Sequence, residues 1–409
     1  MHILLIHQAF AALDEPGGTR HHELARFLVS RGHRVTVIAS PVSYLTGSAA
    51  SAPANEQGEP GITILRTYTY PAWHRSFFHR VLSFLSFMLS SFFAGLRVRD
   101  VDLVWGTSPP IFQAGTAWAV ARLKGVPFLL EVRDLWPAFA VGVGVLRNPL
   151  LIRIAEAFER FLYRHADRVV INSPGFETHV KQRGARRVEL VPNGADTRMF
   201  DPQAAGMEFR QQHHLSDKLI AMYAGAHGMS NDLGVLLQAA SQLQDRPEIA
   251  LVLLGDGKEK SALLDTARRM NLDNVVFLEP IPKVEMPTAL AAADICIAIL
   301  KPIPEYETVY PNKVFDYMAA GRPVVLAIAG VIEQVVQAAQ AGICVPPGDS
   351  QALSTAIRQL ADAPAERQAM GRRGRAYIQA HFDRQVVALR LEAILCDTAG
   401  KSPGEPLQN

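Results

Sequence analysis

Short apolar runs of four to six residues recur along this chain, and most are followed by a turn and a helix-periodic stretch. That alternation constrains the fold more than any other feature, because strands joined by crossover helices lie parallel in a sheet whose faces the helices cover. Residues 2–7 read as a strand, a helix runs from about Thr19 to Ser30 after a Gly17-Gly18 loop, and 35–39 read as the returning strand. Strands at 101–105, 128–131, 168–172 and 188–191 continue the series. The turn Pro192-Asn193-Gly194 interrupts it, and a second series follows at 219–223, 250–254, 275–278, 295–299, 323–326 and 342–345. Helices between these strands are expected to start near Asp232, Glu259, Val284, Asn312 and Ile332.

A chain of 409 residues is too long for one hydrophobic core. The expected fold class is therefore α/β, with two Rossmann-like domains and a crevice between them. The expected boundaries are 1–191, 192–365, C-terminal helices over 366–397 that return to the first domain, and a flexible tail over 398–409. The small, polar stretch 48–61 is expected to be a loop, either mobile and near a binding site or an incidental insertion. With 41 basic against 39 acidic residues, the net charge of +2 provides no global field for nucleic acid, so any basic patch must be local. Cys296, Cys344 and Cys396 lack disulfide or metal-ligand spacing, which fits a reducing cytosol. The N-terminus leads directly into a strand, with no basic segment or cleavage site of a signal peptide.

Ligands of open α/β sheets bind beyond the carboxyl ends of the strands, where helix N-termini favour anions. Three glycine loops suit that role: Pro16-Gly17-Gly18-Thr19, Gly225-Ala226-His227-Gly228 and Gly255-Asp256-Gly257-Lys258. Any one of them is equally well a plain turn, but their repetition after successive strands favours binding. Asp100-Val101-Asp102 has the letters of a metal-binding pair but precedes its strand, on the wrong edge for a ligand. No metal site is expected.

The segment from Tyr310 to Val325, YPNKVFDYMAAGRPVV, together with EVRDLWP from Glu131 to Pro137, VPNGAD from Val191 to Asp196 and the three glycine loops, resembles retaining glycosyltransferases of the GT-B fold. The Asp134-Leu135-Trp136-Pro137 run and the Gly225–Gly228 loop are most similar to N-acetylfucosamine-type transferases of O-antigen, capsule and exopolysaccharide assembly. The resemblance implies a metal-independent enzyme without cofactor. Its substrate would be a nucleotide-sugar donor, UDP-linked, held mostly by the second domain. It places Asp316 at the ribose hydroxyls, where the alternative is a carboxylate stabilising its own helix dipole. The family's other acid falls at Thr308 here, which leaves Glu307 or the backbone around Tyr310, Pro311 and Asn312 to contact the sugar or phosphate. Ile281 lies where relatives hold the base.

Lys313 is the best candidate to neutralise the departing diphosphate, with Lys258 and Lys283 weaker ones. The donor-binding candidates are Gly17, Gly18, Gly225, His227, Gly228, Gly255, Lys258, Ile281, Glu307, Tyr310, Asn312, Lys313 and Asp316. The catalytic candidates are Arg133, Asp134 and Lys313. Arg133 stands where relatives carry a histidine thought to touch the transferred sugar, and a structural Arg133–Asp134 pair is the alternative. Glu131, Arg133 and Asp134 are all expected to face the crevice, whereas His21 and His22 are expected on the surface or in packing.

Residues 77–96, FFHRVLSFLSFMLSSFFAGL, form an apolar helix whose uncharged part, 81–96, is shorter than the roughly 20 residues that span a bilayer. It is either a core helix or an interfacial one. Its aromatic density and the Arg153, Arg160, Arg164 stripe of a second helix favour the interface, with Phe84, Phe87 and Phe92 as membrane or acceptor contacts. The expected activity moves a hexose-type sugar, retaining its anomeric configuration, to a polyprenyl-diphosphate-linked saccharide. It would take place on the cytoplasmic face of the inner membrane, in bacterial surface polysaccharide synthesis. The alternatives are a nucleotide-sugar 2-epimerase and a non-catalytic nucleotide-sugar-binding subunit of an assembly complex.

Overall fold

The computed structural model describes residues 1–11, 18–42, 55–71, 77–202 and 205–404. They form two compact units. The first holds the described residues up to Pro192 and those from Val387 onward, and the second is Asn193–Val386.

The first unit is built on β1 His2–Ile6, β2 Arg34–Ala39, β3 Asn55–Glu59, β4 Ile62–Arg66, β5 Leu103–Ser108, β6 Phe128–Val132, β7 Arg168–Ile171 and β8 Val188–Leu190. Their order in the sheet is β3-β4-β2-β1-β5-β6-β7-β8, parallel except for β3. Ile3 of β1 pairs with Val35 on one side and Leu103 on the other. Every residue of β1, β5 and β6 is buried, which is why these strands read as continuous apolar runs rather than alternating ones. The expected loop at 48–61 is corrected for its second half. Asn55–Glu59 pairs antiparallel with Ile62–Arg66, its backbone supplying the ladder that its polar sequence concealed.

The second unit carries β9 Leu219–Ala224, β10 Ile249–Leu254, β11 Val275–Leu278, β12 Ile295–Ile299, β13 Val324–Ala327 and β14 Gly342–Cys344. The sheet order is β11-β10-β9-β12-β13-β14, all parallel. The C-terminal helices were expected to return to the first unit together, and they part instead. The helix Pro364–His381 packs in the second unit, where Ile378 is fully buried in the core and Gly371 lies against Gly321. From Val387 the last helix joins the first unit's core through Val387, Leu391 and Leu395. The tail is held further than expected: Lys401 pairs with Asp102 at 3.2 Å and the Gly404 amide donates to Glu392 at 3.0 Å.

Sheet order reverses between β1 and β5 in the first unit and between β9 and β12 in the second. These are the switch points, where loops from neighbouring strands diverge and leave room for a ligand.

Candidate active site

At the second unit's switch point, β9 ends at Ala224 and the Gly225 loop follows. Gly225 has φ 149°, and a Cβ there would lie 2.8 Å from Lys313 Nζ. Only glycine therefore lets this ammonium group rest against the loop. Lys313 arrives from the helix Asn312–Ala319, which is pinned one turn later by Tyr317, whose hydroxyl accepts from Ala224 N and donates to Ala224 O, both at 2.9 Å. Nζ donates to Tyr223 Oη at 2.7 Å and to Asn231 Oδ1 at 3.3 Å, and lies 4.0 Å from the Tyr223 ring centroid. Both acceptors are neutral, and among the described residues no carboxylate pairs with Lys313. Desolvation without a counter-charge draws its pKa down to about 7.

The next glycine loop is clasped to this one. His227 N donates to Asp256 O at 2.8 Å, Glu259 N donates to His227 O at 2.9 Å, and a Cβ on Gly257 would sit 2.6 Å from His227 O. A Cβ on Gly255 would run into the Gly225 carbonyl. The His227 ring is fully buried, and desolvation, then the Lys260 charge, lowers its pKa to about 4, so it is neutral at pH 7. Lys258 is exposed, whereas Lys260, which the sequence reading passed over, turns inward to Gly255 O at 3.0 Å and Glu279 at 2.8 Å.

Asp316 is buried, and its Oδ2 receives Lys283 Nζ at 2.6 Å and Asn312 Nδ2 at 3.2 Å. It stands in the fifth position of its helix, so the alternative to ribose binding is this buried ion pair rather than a dipole effect. Lys283, also 4.8 Å over the Phe200 ring, is committed to that pair and corrected as a phosphate candidate. Tyr310 O accepts from Asn193 at 2.6 Å, Ile281 packs on the core, and Glu307 is exposed. Thr308 Oγ1 donates to Glu305 O at 2.6 Å.

In the first unit, Glu131 is corrected. It is fully buried within β6 and faces no crevice. Its carboxylate accepts from Arg20 Nε at 3.1 Å, His21 Nε2 at 2.7 Å and Trp105 Nε1 at 3.2 Å. Burial opposes its ionisation, but His21 and Arg20 outweigh burial and hold its pKa well below the usual carboxylate range. His21 itself is pushed down to about 4 by burial. Arg20 also donates to Pro192 O at 2.8 Å and Val191 O at 2.9 Å. His21 and His22 are both buried, as one of the two expectations had it.

Arg133, just past β6, is half-buried and lies 3.5 Å from His7 Nε2, with no ion pair to Asp134 among the described residues. Burial raises the Asp134 pKa to about 6 against the opposing pull of Arg133. Gly17 lies outside the described residues. A Cβ at Gly18 would meet nothing within 4 Å, so protein packing does not demand glycine there. Asp102 sits before β5, its carboxylate accepting from His2 N at 2.7 Å, and the described residues contain no group of three metal-ligating side chains.

The helix Phe77–Arg97 exposes Leu85, Leu89 and Phe93, at four-residue spacing. Phe87 is corrected: at 1% exposure it is core, so it touches neither membrane nor acceptor. Phe84 stacks on Phe112 at 5.8 Å and Phe92 meets Phe93 edge-on at 5.5 Å. On the helix Pro149–His165, Arg153 and Arg164 are exposed and Arg160 pairs with Glu156 at 3.7 Å, beside exposed Leu150, Leu151 and Ile154. Among the described residues no helix is long and apolar enough to cross a membrane.

Two family models match in succession: residues 17–194 match a glycosyl transferase 4-like domain and residues 218–363 match glycosyl transferases group 1. The colanic acid biosynthesis glycosyl transferase WcaI of Escherichia coli is 28% identical, over 82% of this chain and 86% of that protein. A glycogen synthase of Mycobacterium tuberculosis is 22% identical, over 95% and 92%. Among solved structures, sucrose-phosphate synthase of Thermosynechococcus elongatus superimposes with TM-score 0.80 at 20% identity, over 98% of this chain and all of that one. Anabaena HepE in complex with UDP-glucose superimposes with TM-score 0.73 at 18% identity, over 97% and 100%. The shared fold is GT-B.

Proposed function

Because the chain is a group 1 glycosyltransferase of the retaining, hexosyl-transferring type, we propose that it moves a hexose-type sugar from a UDP-sugar to a lipid-linked saccharide in bacterial surface polysaccharide synthesis. An N-acetylated amino sugar is within this class. One observation carries the donor half of the reading. Lys313 is a desolvated ammonium group, held by neutral acceptors against a glycine loop at a switch point, where a diphosphate supplies the anion it lacks. As the sugar leaves, charge develops on the diphosphate, and Lys313 stabilises it without reorganising. The Asp316 carboxylate, oriented by Lys283 and Asn312, takes the ribose hydroxyls. Arg133 and Asp134 serve the transferred sugar and the incoming hydroxyl. Retention follows from front-side displacement, in which the departing phosphate oxygen accepts the acceptor's proton and no dedicated base is required.

The likeness to WcaI supports exopolysaccharide as the product class. The exposed apolar residues of the first unit, Leu85, Leu89, Phe93, Leu150, Leu151 and Ile154, with Arg153 and Arg164 beside them, suit the anionic inner leaflet where a polyprenyl-diphosphate acceptor lies. The test combines a panel of UDP-sugars with a polyprenyl-diphosphate-linked saccharide. The expected result is acceptor-dependent UDP release with the product anomer unchanged from the donor's. Sugar interconversion without acceptor would identify an epimerase instead, and donor binding without turnover would identify a binding subunit.

A further inference from the structure

We propose that the first unit binds a saccharide of more than one sugar along the carboxyl edge of its sheet, through the neutral side chains of Gln8, Thr67 and Asn172; this names acceptor contacts within the transferase reading and rests on it. A pattern among buried oxygens carries the inference. Among the described residues of the first unit, the amide and hydroxyl oxygens buried without a hydrogen-bond partner are Gln8 Oε1, Thr67 Oγ1 and Asn172 Oδ1. Each lies within two residues of a strand's carboxyl end: Gln8 after β1, Thr67 after β4 and Asn172 after β7. That is the edge where open α/β sheets bind ligands. Buried polar groups are paired as a rule, so three exceptions along one edge call for a common reason.

The backbone around each position is engaged, so the spare oxygens stand on fixed frames. Gln8 N donates to Gln113 Oε1 at 2.6 Å, and Gln8 O accepts from Ser40 N at 2.9 Å. Thr67 N donates to Ala39 O at 2.9 Å, and Thr67 O accepts from Thr69 Oγ1 at 3.2 Å. Asn172, only 6% exposed, follows Ile171, which pairs with Val132 on one side and Leu190 on the other. Neutral amides and hydroxyls match sugar hydroxyls, which both donate and accept, whereas an anion is held better by a cation. Beside Thr67, Tyr68 is 66% exposed on a pinned loop: Ser90 Oγ donates to its carbonyl at 2.6 Å, and Tyr70 N donates to Ser86 Oγ at 2.8 Å. A rigidly presented aromatic face suits the apolar side of a sugar ring. Spacing sets the size of the ligand. Thr67 stands two strands from Gln8, and Asn172 three strands from it on the other side, about 10 Å and about 14 Å at the usual strand separation. One sugar ring does not cover that row, so the acceptor's saccharide is the ligand rather than the donor's single sugar. Arg133 and Asp134 follow β6, between Gln8 and Asn172, so this saccharide passes the groups assigned to the incoming hydroxyl.

The experiment uses the full chain and calorimetry. The probes are farnesyl diphosphate and farnesyl diphosphate carrying one or two sugars, drawn from a panel of hexoses and N-acetylhexosamines. Wild type should bind a disaccharide carrier about tenfold or more tighter than the bare lipid, and tighter than the monosaccharide carrier. No preference for the sugars, or no binding of any carrier, overturns the proposal. Gln8→Leu, Thr67→Val and Asn172→Leu should each weaken binding of the disaccharide carrier about fivefold or more and leave UDP-sugar binding unchanged. Unchanged binding of the carrier overturns the proposal, as does weaker binding of UDP-sugars instead, which would give the row to the donor. Carriers lacking single hydroxyls separate contact from support. Each loss seen in wild type should vanish in the variant that removed that hydroxyl's partner, a coupling that a merely structural role does not produce. Variants as sensitive as wild type to every missing hydroxyl overturn the proposal. Should Asn172→Leu not fold, Gln8→Leu and Thr67→Val decide, the latter keeping its side chain's shape. Failure of the transferase reading would appear separately, as no acceptor-dependent UDP release by a wild type that still prefers the disaccharide carrier.

Discussion

Each of the two sheets presents a basic side chain at its switch point, and the two are held in opposite ways. In the first unit Arg133 stands in front of a buried charged network, in which Glu131 is fastened by Arg20, His21 and Trp105. In the second, Lys313 is held by a phenol, an amide and glycine backbone, without a charge in contact. An arginine keeps its proton under all physiological conditions, while a desolvated lysine gives its proton up. The same topology thus builds one fixed charge and one conditional charge. Under the proposed function, a bound diphosphate completes the conditional one.

Removing the keystone of the charged network should have the largest effect. Glu131→Ala takes the carboxylate away from buried Arg20 and His21, and should cost about 3–5 kcal/mol of stability, read by urea unfolding. A loss below about 1 kcal/mol would mean that the network contributes no more than a surface pair. Lys313→Ala should leave the fold intact and cut turnover about 100- to 1000-fold, as removal of one preorganised donor does. Wild-type turnover would dissolve the contrast between the two cations.

Gly225→Ala forces a Cβ to within 2.8 Å of Nζ at φ 149° and should displace the lysine, lowering turnover about tenfold. In a Lys313→Ala background the same change should cost far less; an equal cost in both backgrounds would show that the glycine serves something other than the lysine. The pH dependence is subtler. With a pKa of about 7, Lys313 is half-protonated at neutrality, and a bound diphosphate should raise that value. Binding of a UDP-sugar therefore takes up a proton. Affinity should be flat below pH 7 and weaken above it, by up to about tenfold per unit. Lys313→Arg should flatten the curve. Smallest of all, Arg153→Gln should reduce flotation with anionic liposomes about fivefold at low salt, since one basic residue near the surface contributes about 1 kcal/mol. No change would remove Arg153 from a membrane face.

Most of the architecture was legible because both sheets are covered on both faces. Strands such as Ile249–Leu254 announce themselves when every residue is apolar. Asn55–Glu59 was not legible, since a polar edge strand is held by backbone pairing that composition does not record. Phe87 was misread for a related reason. A helix that is apolar around most of its circumference does not say which side is inward. The candidate site's local geometry was legible wherever it is local in sequence, as with a glycine loop or a lysine at a helix start. Lys283 with Asp316, Lys313 with Tyr223 and Arg20 with Glu131 join residues 33, 90 and 111 positions apart, and topology alone brings them together.

The clasp between the two glycine loops of the second unit bears on how such a chain can diversify. Gly255 leaves no room for a side chain against the Gly225 carbonyl, and Gly257 leaves little against that of His227. Neither loop can accept a larger residue unless the other retreats. Two changes must then arrive together, each harmful alone, and a lineage exploring one substitution at a time is barred from that route. Novelty in donor choice has to enter through neighbours that are not so locked, such as exposed Glu307 or the half-buried Asn312. Under the proposed function, the part of the site assigned to the diphosphate is inherited almost as a single letter, and the part assigned to the sugar is free to be rewritten.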